Sequence, residues 1–426
     1  MARQLKINRR TLLIGTAAAA MGGALSSCRP SAPDALRISL LTDAIPAEVL
    51  KKFRQQTNAP VKFQTLNQLS GLFQQLQRWQ LPDKSKSFSL KELLPWVEDP
   101  KQIQPDNLVS LDDYWLAGAI AQDLIEPLQL KPGALEKLPA DWLQNWQQFI
   151  NQGVPDRGGK NLASQNQDAA PNLTGDAANT IWAAPYRVQS LVVVYREGKV
   201  LATSGAEPFS SWRDLLDPTL QNRIAMPDHP RIVLGLLQKI RSGSFNPSIE
   251  SSAQTPPTAS DIERQLAEQL GEPLAQLNRQ VRTYDGENSL KALINGDVDV
   301  AVSWSADIVA AQRRYQDLKM TIPTEGSLLS ADVWVRPKGA PVNEAAKDWI
   351  EYCWEMGPAT QISRSGEGLS PVFLGKESRL PPVLASGPLS LEAIQNSEPI
   401  LPLSAAVQTA YFNFWQQERG RYRRGG

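Results

Sequence analysis

The chain has 426 residues, enough for two domains, and its 42% hydrophobic and 21% charged content excludes a disordered or multi-spanning protein. Basic and acidic residues balance at 44 each; all but four of the basic ones, and every acidic one, lie after residue 27, which leaves that remainder at net −4. That balance gives no electrostatic case for nucleic acid. A single histidine, two cysteines, and the absence of G-x-S-x-G, Walker A, G-x-G-x-x-G or zinc-spaced ligands leave catalysis and cofactor binding without support.

MARQLKINRR is a basic n-region, and TLLIGTAAAAMGGAL is an apolar h-region too short to span a membrane. Leu25-Ser26-Ser27-Cys28 then resembles a bacterial lipobox, in which the cysteine becomes a lipidated N-terminus. Arg9-Arg10-Thr11-Leu12-Leu13 resembles a twin-arginine export signal, with an ordinary basic n-region as the alternative. Residues 1–27 are thus expected to be a signal peptide and 28–35 a lipidated tether. Cys353 is then the one cysteine left, at helical spacing with Trp349 and Ile350, and reads as a buried thiol without a disulfide.

Leu36–Asp43 reads as a strand, IPAEVLKKFRQQTN as a helix with Pro46 at its start, APVKFQTL as a second strand and LSGLFQQLQRWQL as a second amphipathic helix. Strand and helix alternating over short loops imply a parallel sheet, an α/β protein. Residues 81–106 are polar and Pro-interrupted. Asn107–Trp115 is expected to be a strand running into a loop, with Asp112 or Asp113 available to cap the helix that follows. Residues 153–180 form a long polar loop, and Ile181–Tyr186 and Ser190–Tyr195 two short extended segments, LVVV being suited to a strand buried on both faces. Trp212 and Leu215 dock a short helix before the strand end Ile224–Met226, and the loop Pro227–Arg231 follows. Residues 242–260 are a Ser/Pro loop, and Ser260 or Asp261 caps the next helix.

A helix through Leu290 and Leu293, a Gly-Asp turn and an apolar strand Val298–Ser303 lead to Trp304, with Ser305 or Asp307 as cap of the helix beyond. IPTEGSLLSADVWVRP then feeds another strand through a Pro/Gly turn. Trp304, Asp307, Glu325 and Asp332 fall on or near loops at strand ends, where open α/β sheets place their ligands. An aromatic wall beside carboxylates suits an organic cation. Glu367 and Ser370 lie at a later turn, AAKDWIEYCWEM before it is helical, and the closing helices from Leu380 end in the basic tail ERGRYRRGG, expected to be solvated.

The order of these pieces, GDVDVAVSWSAD, IPTEGSLLSADVWVRP, IWAAPYRVQSLVVVY and SWRDLLDPTLQNRIAM among them, resembles the polyamine (spermidine/putrescine) substrate-binding proteins of ABC importers, over about residues 36–375. The resemblance implies a class II periplasmic-binding-protein fold with a ligand cleft between two lobes, 36–185 with 325–375 and 186–324 with 376–420. It implies crossovers near Ala184–Arg187 and Pro323–Ser327, and puts Tyr186, Arg187 and Gln189 at the first bend. Asp112, Tyr114, Arg187, Asp228, Trp304 and Asp332 would face the cleft, Trp304 stacking on the solute and Asp332 and Asp112 accepting from its donors. The chain departs from the family pattern in having His229, Arg231 and Ile232 where further acids are expected, Thr42-Asp43-Ala44-Ile45 where aromatics are, and Ser330 in place of an aromatic. If Arg187 and Arg231 both faced inward, the solute would carry a carboxylate.

The function implied is that of an exported, lipid-anchored periplasmic receptor, without enzymatic activity, cofactor or metal. It would close by hinge motion around one small organic solute, polyamine-like, and deliver it to ABC permease subunits. The alternatives are a non-transport envelope lipoprotein, a sensor or assembly factor, built on the same fold, and an anchored carbohydrate hydrolase, which needs two carboxylates across a cleft.

Overall fold

The computed structural model describes residues 35–80, 104–140, 142–143, 181–199, 208–247, 257–285, 289–364, 368–375, 380–385, 391–401 and 403–425. The signal segment, Cys28, the tether, most of 81–106, the 153–180 loop, part of 242–260 and Glu367 lie outside them.

The first elements are β1 (Leu36–Leu41), α1 (Ala47–Gln56), β2 (Val61–Leu66) and α2 (Leu69–Gln80). β1 pairs in parallel with β2 and with β3 (Leu108–Asp112), as the strand–helix alternation predicts. α2 buries Leu72, Phe73 and Leu76, one face of a 3.6-residue period. β3 does not run into a loop: Asp112 is the N-cap of α3 (Asp113–Ala121), which opens at once. β4 (Ile125–Glu126) follows.

The two extended segments expected across 181–195 are one thirteen-residue strand, β5 (Ala184–Arg196), buried at every position but the last. Nothing in RVQS breaks it, and its backbone is paired with a neighbouring strand along its whole length. Its first part, Ala184–Ser190, is antiparallel to β10 (Leu328–Pro337); its second part lies between β8 (Val300–Trp304) and β9 (Leu318–Thr321). The full ladder runs β2-β1-β3-β10-β5-β8-β6-β7, with β6 (Ile224–Met226) parallel to both β7 (Val281–Tyr284) and β8. β5 therefore belongs to two groups of strands and changes partners after Ser190.

Trp212 and Leu215 are buried in a 3₁₀ turn, Trp212–Leu216, capped by Ser211. α4 (Pro230–Ser242) starts immediately after His229. α5 (Ala259–Gln280) buries Ile262, Leu266, Leu270, Leu274 and Leu277 along one stripe. Its cap is Thr258, not Ser260 or Asp261; Asp261 returns the bond to the Thr258 backbone, a capping box that satisfies two helix-end donors at once. α6 (Ser289–Asn295) precedes β8, which starts at Val300, two residues later than expected. In α7 (Ser305–Gln312) the N-cap position belongs to Trp304, without a side-chain cap, rather than to Ser305 or Asp307.

α8 (Glu344–Cys353) and α9 (Met356–Arg364) pack on the β1 side, where Trp349 meets Phe53 edge-on at 4.9 Å and Cys353 is fully buried. Short helices α10 (Pro382–Ala385) and α11 (Leu391–Gln395) and strand β11 (Glu398–Pro399) lead to α12 (Ala405–Gly425). The basic tail is thus the end of a helix anchored by buried Tyr411, Phe414 and Trp415. Among the described residues no helix is long and apolar enough to cross a membrane.

Candidate functional site

The middle of β10 organises the site. Asp332 is in register with Asp112 on β3 at one side and with Arg187 on β5 at the other. Residues in register on neighbouring strands point to the same face, so these three side chains form one row across the sheet. Arg187 donates from Nε at 2.7 Å and from a terminal nitrogen at 2.6 Å to the same Oδ2 of Asp332, and both side chains are almost wholly buried. The other oxygen, Asp332 Oδ1, is buried and accepts no hydrogen bond. A buried, unfilled carboxylate oxygen is costly and marks a place for a donor.

Asp112 ends the row at the start of α3, accepting from the Tyr114 amide at 2.7 Å. Beside it, Asp113 turns back onto β10, where it accepts from the Ala331 amide (2.9 Å) and the Ser330 hydroxyl (2.9 Å); the same hydroxyl lies 3.2 Å from Asp112 Oδ2. Burial pushes Asp112 up to about 6, and the Asp332 charge adds to this; hydrogen bonds from Asp113, Tyr114 and Ser330 work the other way. Burial, together with the Asp112 charge, raises Asp113 well above the carboxylate range. The two carboxyl groups meet at the Ser330 hydroxyl, and the charge of Asp112 opposes ionisation of Asp113. Asp307, in the first turn of α7, accepts from Ser303 at 3.3 Å and is near enough to Arg187 to feel its charge; the protein mass around it raises its pKa although its own surface is open to water.

Across from this row, the β6–α4 loop touches α3: the His229 ring meets Tyr114 edge-on at 4.9 Å, and Tyr114 keeps 44% of its surface exposed. Burial, then the Arg231 charge, pushes His229 down to about 4, so it is a neutral ring. Asp228, next to it, is exposed, yet both its oxygens have partners on α12, Trp415 Nε1 at 3.1 Å and Arg419 at 3.2 Å.

Of the residues singled out from sequence, Asp112, Tyr114, Arg187 and Asp332 thus lie together. Trp304 ends β8, half-buried against the core and in register with Leu191 of β5. Asp228 stands on the opposite side of the His229–Tyr114 contact. Tyr186 is not at a bend: it is fully buried, stacked on Trp334 at 4.4 Å with its hydroxyl 2.8 Å from Ser110. Gln189 is buried in the same continuous strand. Arg231 turns away to the Phe245 carbonyl at 2.7 Å, which removes the pair of inward arginines on which an anionic solute depended. Glu325 is a structural cap, accepting from the Trp212 amide at 2.8 Å, and Ser370 is fully buried. Sequence reasoning missed Ser330 as a bonding partner, left the facing of Asp113 open and did not find Arg419 or Trp415. None of these had a signal in the sequence: the first two follow from the β3–β10 register and the others from a helix packed against the β6–α4 loop, both made only in the fold.

Among the described residues no group of three or more His, Cys, Asp or Glu is arranged to hold a metal ion.

A putrescine-binding periplasmic protein of Pseudomonas aeruginosa, SpuD, is 24% identical over 351 residues, 78% of this chain and 83% of that protein. The spermidine/putrescine-binding periplasmic protein 1 of Haemophilus influenzae is 28% identical over 150 residues, 35% of this chain and 38% of that protein's length. Among solved structures, the spermidine/putrescine ABC transporter substrate-binding protein PotD of Streptococcus pneumoniae superposes with a TM-score of 0.64 at 18% identity, covering 91% of this chain and 99% of that one; the fold is therefore the two-lobed α/β fold of the periplasmic binding proteins. The model of the family described as bacterial extracellular solute-binding protein matches residues 105–389, a stretch that contains the whole Asp112–Asp332–Arg187 row. The chain belongs to this bacterial extracellular solute-binding family, a non-enzymatic class.

Proposed function

We propose that the protein is the solute receptor of an ABC importer and that it binds a small organic cation of polyamine-like chemistry. The observation that carries this reading is the row Asp112–Asp332–Arg187 across the sheet, with Asp332 Oδ1 buried and unfilled and Asp307 near enough to Arg187 to feel its charge. An ammonium group supplies the missing donor and balances the surplus of carboxylates. The rim of Tyr114 and the half-buried Trp304 offer ring faces to its alkyl part. The names of the curated relatives point the same way.

In this reading the lobes are 36–185 with 325–375 and 186–324 with 376–420, the first crossover moving to just after Ser190, where β5 changes partners. The solute stabilises the closed form by its greater affinity for it. Cys28 carries the lipid that tethers the receptor outside the cytoplasmic membrane, facing the permease subunits.

The test is thermal unfolding of the protein from about residue 31 against putrescine, spermidine, amino acids, sugars and oxyanions. A ligand at a hundredfold its Kd adds about 2.7 kcal/mol, a clear rise in Tm. A rise with amines alone is expected, and a rise only with carboxylated solutes would sink the cation reading. The full chain prepared with Cys28 or with Cys28→Ser reads the anchor in the same series, by its partition into membranes. The engagement of Asp332 by the chain's own Arg187 favours one second reading, an envelope lipoprotein without a transported solute. A panel in which nothing shifts the Tm would favour it.

A further inference from the structure

The other wall of the site contains a second cation box, already filled. The Arg419 guanidinium lies 4.5 Å over the Tyr284 ring and 5.5 Å from the Trp415 ring, and donates to Asp228 Oδ2 at 3.2 Å. Trp415 stands edge-on to Tyr284 at 5.0 Å and donates from its indole to Asp228 Oδ1. Two aromatic rings and a carboxylate around a positive group form the kind of cage that receives alkylammonium ligands. Here the cation comes from α12, and its side chain is only 12% exposed while Asp228 remains 37% exposed. The box borders the Asp112 row: Asp228 precedes His229, whose ring touches Tyr114, whose amide is bonded to Asp112.

We infer that Arg419 is a specificity-determining residue, an internal cation that occupies the second ammonium position and restricts the solute to one carrying a single ammonium group. The inference rests on the cation reading of the Asp112–Asp332 row and narrows it. A diamine bound at that row would bring its far ammonium toward a carboxylate whose charge is already balanced, and would lose hydration there without compensation. A monoamine with an uncharged far end loses nothing.

Calorimetric titration of n-butylamine and of putrescine into wild type, Arg419→Gln, Arg419→Lys and Asp228→Asn/Arg419→Gln tests this. Wild type is expected to bind n-butylamine about tenfold or more tighter than putrescine, and Arg419→Gln to gain about tenfold or more for putrescine while butylamine barely changes. Arg419→Lys keeps the charge and should behave as wild type, which separates the charge from any loss of packing. The double variant should lose the gain. Wild-type binding of putrescine as tight as that of n-butylamine or tighter, or an Arg419→Gln protein with unaltered amine discrimination, would overturn the inference and leave the cation reading standing. Failure of every variant to bind either amine would overturn both.

Discussion

At the scale of single residues, the proposed cation site would make recognition depend on pH through the carboxyl pair where β3 meets α3. Asp112 is held at about 6, above its unfolded value, so its protonated form favours the folded state in acid and that contribution fades as pH rises through 6. Cation binding has the opposite sense, because an ammonium group prefers the ionised carboxylate. Affinity for an amine should therefore rise about tenfold between pH 5 and pH 7. Asp112→Asn should flatten that rise, since asparagine still caps α3 through the Tyr114 amide but no longer titrates. Titration calorimetry at a series of pH values reads both. An affinity independent of pH in wild type would remove Asp112 from the site. The residues of this row were legible in the sequence because an Asp at a strand end before a helix, and an Asp inside SADVWV, are local patterns. Arg419 was not: its bond to Asp228 spans 191 residues, and no periodicity reports on such a pairing.

At the scale of elements, the turn before β10 decides whether Asp332 reaches its register. Gly326 has φ +80°, and a Cβ built there would lie 1.9 Å from the Asn396 carbonyl, just ahead of β11. Gly368 is also pressed on β5, its would-be Cβ 2.6 Å from the Val188 carbonyl oxygen and 2.8 Å from Arg187 Cγ. Gly326→Ala must distort the turn or push α11 and β11 away, and should cost more than about 1 kcal/mol in urea denaturation. Unaltered stability would mean that the turn yields freely. The turn itself was readable from PTEG, as were the helices whose apolar residues recur every three or four positions. Caps and strand ends were less so. Thr258 forms the capping box with Asp261, although Ser260 and Glu263 offer the same spacing, so spacing alone did not choose the cap. The join of 184–196 into one strand was hidden because each half, taken alone, already looked like a short strand.

At the scale of the whole molecule, the α/β class followed from the alternation of elements, and the family resemblance extended that to a two-lobed fold. What no local pattern contained is that one strand serves both groups. Ala184–Ser190 closes a ladder with β10, and Leu191–Arg196 closes another with β8 and β9. If either group melted alone, half of β5 would be stripped of its neighbours while the other half stayed in place. Six consecutive residues of a strand buried on both faces would then meet water with their amides unpaired. Such a half-melted state is too costly to accumulate, so residues 35–425 should unfold in one transition despite a length at which separate melting is common. Scanning calorimetry should give a van't Hoff enthalpy equal to the calorimetric one; two resolved peaks would show that the shared strand does not couple them. The same continuity means that destabilising either group drains the other, so a harmful substitution near β7 lowers the stability of the Asp112–Asp332–Arg187 row built on β3, β10 and β5.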